Sequence, residues 1–157
     1  MAITAQIAKH LREVYFGGNW TSSNFKQQLA DVTWEQATTK IYDLNTILTL
    51  VYHSNYYVHE VLKVLNGAPL LAKDKYSFEH PNITNQAEWE ALMQSGFDDV
   101  EEFAQALEQI PDAQLDAAFS DEKYGNYYRN MTGIVEHCHY HLGQIVIIKK
   151  ILNQKII

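Results

Sequence analysis

The sequence predicts an all-α protein, a four-helix bundle with one long crossover connection. Three observations carry that expectation. Four long segments place apolar residues three and four apart, the repeat of a helix with one buried face. No strand-like alternation persists beyond a few residues. The three prolines, Pro69, Pro81 and Pro111, all stand at the edges of periodic segments, where they punctuate helices without breaking them.

The first helix is expected from Ile3 to Phe16, with Ile7, Leu11, Val14 and Tyr15 inward and Gly17–Gly18 as its stop. A polar loop, Asn19 to Asn24, follows and carries Trp20. Thr33 and Gln36 have the spacing of a capping box, so a short helix starts there and runs on into a longer one, Asp43 to Asn66. Its inner stripe is Ile47, Leu50, Val51, Ser54, Val58, Val61, Leu62 and Leu65, and Gly67 ends it. The long connection Ala68 to Ile83 includes Lys73-Asp-Lys-Tyr-Ser-Phe78; connections of this length in compact domains are often functional. Thr84 or Asn85 starts the next helix, which runs to about Gln109 on Trp89, Leu92, Met93, Phe97, Val100, Phe103, Ala104 and Leu107. Gly96 marks a candidate bend within it. Ile110-Pro-Asp ends the pattern, Ala113 to Ala118 suits a single turn, and the last helix spans Asn126 to Asn153.

The chain of 157 residues suits one domain, residues 1–157, able to bury roughly two-thirds of its unfolded surface. Its apolar share of 46% argues against disorder, and its net charge of −7 argues against a nucleic-acid partner. The basic group Lys149-Lys150 with Lys155 suits the negative end of a helix dipole. Cys138 is the only cysteine, so no internal disulfide forms. Neither a signal peptide nor a run of ~18 apolar residues that would span a membrane is present. The expectation is a soluble, cytoplasmic protein.

His137 and His141 are four apart in an apolar stretch, so a helix stacks their imidazoles one turn from each other on one face. Two imidazoles so placed can share a divalent ion. Gln144 follows on the same stripe. His53 lies mid-way along another apolar helix and projects toward the core, where it can supply a third nitrogen. Three neutral nitrogen ligands with remaining positions open is the pattern of a catalytic metal site. The other histidines do not fit. His59 is turned about 240° from His53 and His139 about 200° from its two neighbours. His10 and His80 lie in or near polar segments; these four read as surface residues or supports behind the site. Cys138 points about 100° away from His137 and reads as a small core residue.

Several chemistries are excluded. No Gly-x-Ser-x-Gly, phosphate-binding glycine loop or dinucleotide fingerprint occurs. The His-x-x-x-His pair lacks the glutamate of a zinc peptidase, since position 138 is cysteine. The paired Glu-x-x-His motifs of di-iron bundles are also missing.

The segment His137-Cys-His-Tyr-His141-Leu-Gly-Gln144-Ile resembles the C-terminal signature of the DinB/YfiT-like proteins. The helix with His53, Tyr56-Tyr57 and Leu65-Asn-Gly67 is similar to the second helix of that family. The Asn19-Trp20 loop and the Ile110-to-Leu115 connection extend the likeness over nearly the whole chain. The resemblance implies a four-helix bundle holding a divalent ion, zinc or nickel, on His53, His137 and His141. It also implies a homodimer, and an activity such as low-molecular-weight-thiol S-transfer (with bacillithiol, for example), hydrolysis or mycothiol-dependent isomerisation.

Two expectations about function follow. The first is a metal-dependent enzyme acting on a small-molecule substrate or thiol, with Gln144 hydrogen-bonded behind the site and Trp20, Tyr56 and Tyr57 as candidate pocket walls. That site opens near the Asn19-Trp20 loop. The second is a non-catalytic module that binds metal for stability or sensing; an empty three-histidine pocket for a small ligand is a third option. The apolar run Ile145-Val-Ile-Ile148 covers every side of a helix, more than one bundle face needs, which suits a second subunit.

Overall fold

A computed structural model describes residues 1–154; Lys155 lies outside them. Six α-helices form: α1 (Ile3–Phe16), α2 (Phe25–Leu29), α3 (Trp34–Thr38), α4 (Ile47–Leu65), α5 (Gln86–Glu108) and α6 (Tyr127–Gln154). Three 3-10 turns, Asp74–Phe78, Asp112–Asp116 and Glu122–Tyr124, lie in the connections. No helix of the described residues is long and apolar enough to cross a membrane.

Local side chains set most helix starts. Thr33 and Gln36 form the expected capping box on α3. Thr46 Oγ1 accepts from Thr49 N at 3.0 Å, and Asn85 Oδ1 accepts from Glu88 N at 3.0 Å. The break between α3 and α4 differs from the continuous helix expected from the sequence. Residues 39–46 leave the helix, with Tyr42 at a φ of 50°, and α4 starts afresh on its own cap at Thr46. Helix α2 was not expected; its cap, Asn24, accepts from Gln27 N at 2.9 Å. The start of α1 has no local cap. Asp112, 109 residues downstream of Ile3, accepts from Ile3 N at 2.9 Å and Thr4 N at 3.0 Å.

The four long helices pack as a ring. Helix α1 touches α5 and α6, and α4 touches the same two. The long connection after α4 therefore joins ring neighbours. Residues 17–46 and 109–126 link the pairs that face each other across the ring, α1 to α4 and α5 to α6. The core includes Leu11, Tyr15, Leu50, Val58, Trp89, Phe103, Leu107, Met131 and Ile145. Arg12 of α1 is clamped by Glu101 and Glu108 of α5. Of the apolar run in α6, Ile145 and Ile148 are buried and Val146 half-buried, while Ile147 is 58% exposed. Lys149 donates to Gln28 O at 2.7 Å and pairs with Asp31, so it ties α6 to α2 and to the segment that follows it.

Gly96 does not bend α5, which runs through it unbroken. It is instead a point of close approach. A Cβ there would lie 1.9 Å from Asn55 Nδ2, and Asn55 Oδ1 accepts from the buried Tyr15 hydroxyl at 3.1 Å. Replacing Gly96 with Val drives that amide out of its place between α4 and α5. Chemical denaturation should show a loss of about 1–3 kcal/mol, the range for overpacking. Gly143, exposed and with nothing within 4 Å, makes the control. Gly143→Ala should gain about 0.5–1 kcal/mol from reduced chain entropy. Equal stability of the two variants would contradict this account of Gly96.

Candidate metal centre

Helices α4 and α6 pack together, and their inward stripes bring three imidazoles to one point. His53 comes from α4, and His137 and His141 from consecutive turns of α6. His53 and His141 are buried and His137 is half-buried. His137 Nε2 stands 3.0 Å from His53 Nε2 and 3.0 Å from His141 Nε2. One nitrogen of each ring lies within 4.8 Å of the others.

The surroundings fix which nitrogen faces inward. His141 Nδ1 is 2.7 Å from Gln144 Oε1, an amide oxygen that only accepts, so Nδ1 carries the proton. Ser77 Oγ donates its only hydrogen to Asp74 O at 2.6 Å. It therefore accepts from His53 Nδ1, 2.7 Å away. Both rings are thus held in the tautomer that turns an Nε2 lone pair inward. His137 Nε2 can donate to one of those lone pairs and no more. His137 Nδ1 is buried without a hydrogen-bond partner. Mutual hydrogen bonding leaves this cluster unsatisfied, whereas a single cation at its centre would accept all three lone pairs.

The rings are neutral at physiological pH. Burial, followed by the nearby His141 and His53, pushes His137 down to about 4. Burial first, then His141, also lowers His53, and burial lowers His141. The donor set carries no carboxylate and no thiolate. A divalent ion on it would keep its full charge, which favours strong polarisation of whatever else it holds. Cys138 takes no part. It is buried at 3.5 Å from the Tyr15 hydroxyl, and burial pushes its thiol up to about 12.

The long connection roofs the cluster. Its 3-10 turn delivers Ser77, and Phe78 stacks on His53 with ring centres 4.5 Å apart. Tyr57 stands edge-on to His53 and His137 and donates its hydroxyl to Asp74 Oδ1 at 2.7 Å. Nothing in the sequence singled out Ser77; the one available signal was the length of the connection that carries it. A cavity of about 550 Å³ opens from His53 and His137 between Tyr57, Leu70, Phe119 and Arg129.

Among the residues considered from the sequence, Gln144 and Tyr57 lie against the histidines. Tyr56 instead bonds the backbone of Lys73 and lines a different groove, shared with His59. Trp20 is 99% exposed and lines neither cavity, so the site does not open beside it. The reason is local. Asn19 donates to Glu13 O at 2.7 Å and Ser23 O at 2.6 Å and accepts from Thr21, which closes that loop on itself and turns Trp20 outward. His59 meets Asp99 at 3.0 Å, His139 faces the ring of His10 at 5.6 Å, and His80 bonds Thr49 at 3.2 Å. None of these four joins the cluster.

The model of the DinB superfamily matches residues 19–145, a span that holds all three histidines. No curated protein and no solved structure matches the chain.

The depressed histidines predict a pH dependence of the metal-free fold. Between about 4 and the ordinary 6.5, the unfolded chain binds a proton at His137 that the folded chain refuses. Stability therefore rises with pH across that window and falls as the pH is lowered through it. Chelated wild type should lose more stability than His137→Gln between about pH 6.5 and about pH 5, above most carboxylate titration. Parallel losses in the two proteins would contradict the neutral buried triad.

Proposed function

The chain belongs to the DinB superfamily, and on that footing we propose that it is a divalent-metal-dependent enzyme acting on a small molecule. One observation carries the proposal: two imidazoles tautomerically fixed with lone pairs inward, beside a third and at the mouth of a cavity. His53, His137 and His141 would hold the ion, zinc or nickel, with no further protein ligand in the cluster among the described residues. Bound there, the ion would supply Lewis acidity and lower the pKa of a coordinated thiol or water toward neutrality.

The chain's own residues have separate tasks. Ser77 and Gln144 orient His53 and His141, the kind of support whose loss costs 10–100-fold in metal affinity in other sites, roughly speaking. Burial and the bond to Asp74 push Tyr57 up to about 12, so its phenol stays protonated beside the cavity. Leu70, Phe119 and Ile134 exclude water from one side. These features favour transfer of a low-molecular-weight thiol, or hydrolysis, the activities of the proteins that the chain resembles. A homodimer is proposed with it: Ile147 stands out from α6, and light scattering should return twice the 18.1 kDa chain mass. A cytoplasmic setting is proposed as well, one in which the single buried cysteine stays a free thiol.

Elemental analysis of untagged protein should find one divalent ion per chain. His53→Ala, His137→Ala and His141→Ala should each lose it, while His59→Ala and His139→Ala retain it. Thiol-transfer or hydrolytic activity should disappear on chelation and return with zinc or nickel. Full occupancy in His141→Ala would sink the ligand assignment. Full metal loading without activity across a panel of thiols and esters would leave the non-catalytic module in its place.

A further inference from the structure

The cavity that His53 and His137 line also carries a cation. The chain contains two arginines. Arg12 is fully engaged by Glu101 and Glu108. The guanidinium of Arg129 has no hydrogen bond or ion pair among the described residues, and it lines the cavity. Arg129 is exposed on the rim of the cavity, so its guanidinium is open to a ligand there. The acidic groups on the same wall are occupied: Glu60 by Lys63 at 2.6 Å, and Asp74 by the Tyr57 hydroxyl.

Gly133 lies on the path between Arg129 and the histidines, and Gly125 lies behind Arg129. Arg129, Gly133 and His137 are successive members of one i, i+4 stripe on α6, so they share a face. Gly133 weakens the helix by about 0.5–1 kcal/mol relative to alanine. Packing does not require it, because a Cβ there would meet nothing within 4 Å; the open space is the cavity. Gly125, at a φ of 78°, leaves the notch into which the Arg129 stem folds: a Cβ there would lie 2.8 Å from Arg129 Cδ. The α-carbons of Arg129 and His137 stand about 12 Å apart along the helix axis, and the arginine stem leans toward Gly125, away from His137, so a ligand that reaches both must bridge at least that span.

We propose that Arg129 is a carboxylate anchor, and that the substrate is a small monoanion whose reacting group lies at the three histidines. Its apolar body would cross Gly133 between Leu70, Val61 and Ile134. The planar fork of arginine matches a carboxylate with two parallel hydrogen bonds. One arginine balances one negative charge, and the nearby Glu60 and Asp74 disfavour a dianionic phosphate. This specificity rests on the metal-centre reading for what happens at the histidines, but not for the anchor itself.

Two measurements separate the two ideas. The first is calorimetric titration of zinc-loaded protein with mercaptohexanoate and with its neutral counterpart mercaptohexanol. Wild type should prefer the carboxylate by up to about fivefold, the worth of an ion pair at an exposed guanidinium. Arg129→Gln should abolish that preference and leave mercaptohexanol binding unchanged. The second uses metal-free protein and no thiol. With only two arginines, Arg129→Gln identifies the Arg129 Nε–Hε NMR signal by its loss. Hexanoate should shift that signal saturably, and hexanol should not. Absence of the shift overturns the anchor, as does an undiminished carboxylate preference in Arg129→Gln. Failure of both thiols to bind zinc-loaded protein while hexanoate still shifts Arg129 would count against the metal-centre reading and uphold the anchor.

Discussion

Three ring nitrogens facing one another in a buried space cannot satisfy themselves, and that constraint organises this end of the molecule. Any neutral imidazole has one donor and one acceptor nitrogen. Ser77 and Gln144 claim the donors of His53 and His141, so the acceptors must look inward. The arrangement has the character of a socket: polar atoms held at a cost that a cation would relieve. Burial lowers the affinity of these rings for protons, which leaves the lone pairs free for a softer, heavier ion.

The polar supports come from different levels of structure. Gln144 is local, three residues beyond His141 on the same helix face. Ser77 is remote, delivered by a connection that folds back over α4. A socket supported from both its own helix and a roof is stiffer than one built on helices alone. The roof also carries Phe78 onto His53, so ring rotation there would disturb packing as well as hydrogen bonding.

Much of this could be read in advance, and the limits have physical causes. His137 and His141 are paired by helical period alone, and His53 lies on the stripe that any bundle must bury. Gln144 followed from the same period. Ser77 and Arg129 were invisible because their roles depend on where a long connection and the opposite end of α6 arrive in space. The break before α4 was missed although Thr46 and Thr49 stand at cap spacing; the apolar pattern runs through it and masks the cap. The outward turn of Trp20 depends on Asn19 bonding its own loop, a preference that an isolated Asn-Trp pair does not disclose. Ile145 and Ile148 were absorbed by a bundle that surrounds α6 more fully than one apolar stripe suggests.

The cap on α1 has a bearing on how the chain is made. The first amides of that helix are satisfied by Asp112, which leaves the ribosome more than a hundred residues later. Helix α1 also rests on α5 and α6, which follow it by 70 residues or more. During synthesis α1 waits for α5, and His53 waits for His137 and His141 of α6. The ring thus closes only once α6 is made. A nascent chain halted before α6 would leave uncovered those parts of α1 and α4 that α6 packs against, the state in which a chaperone would meet it.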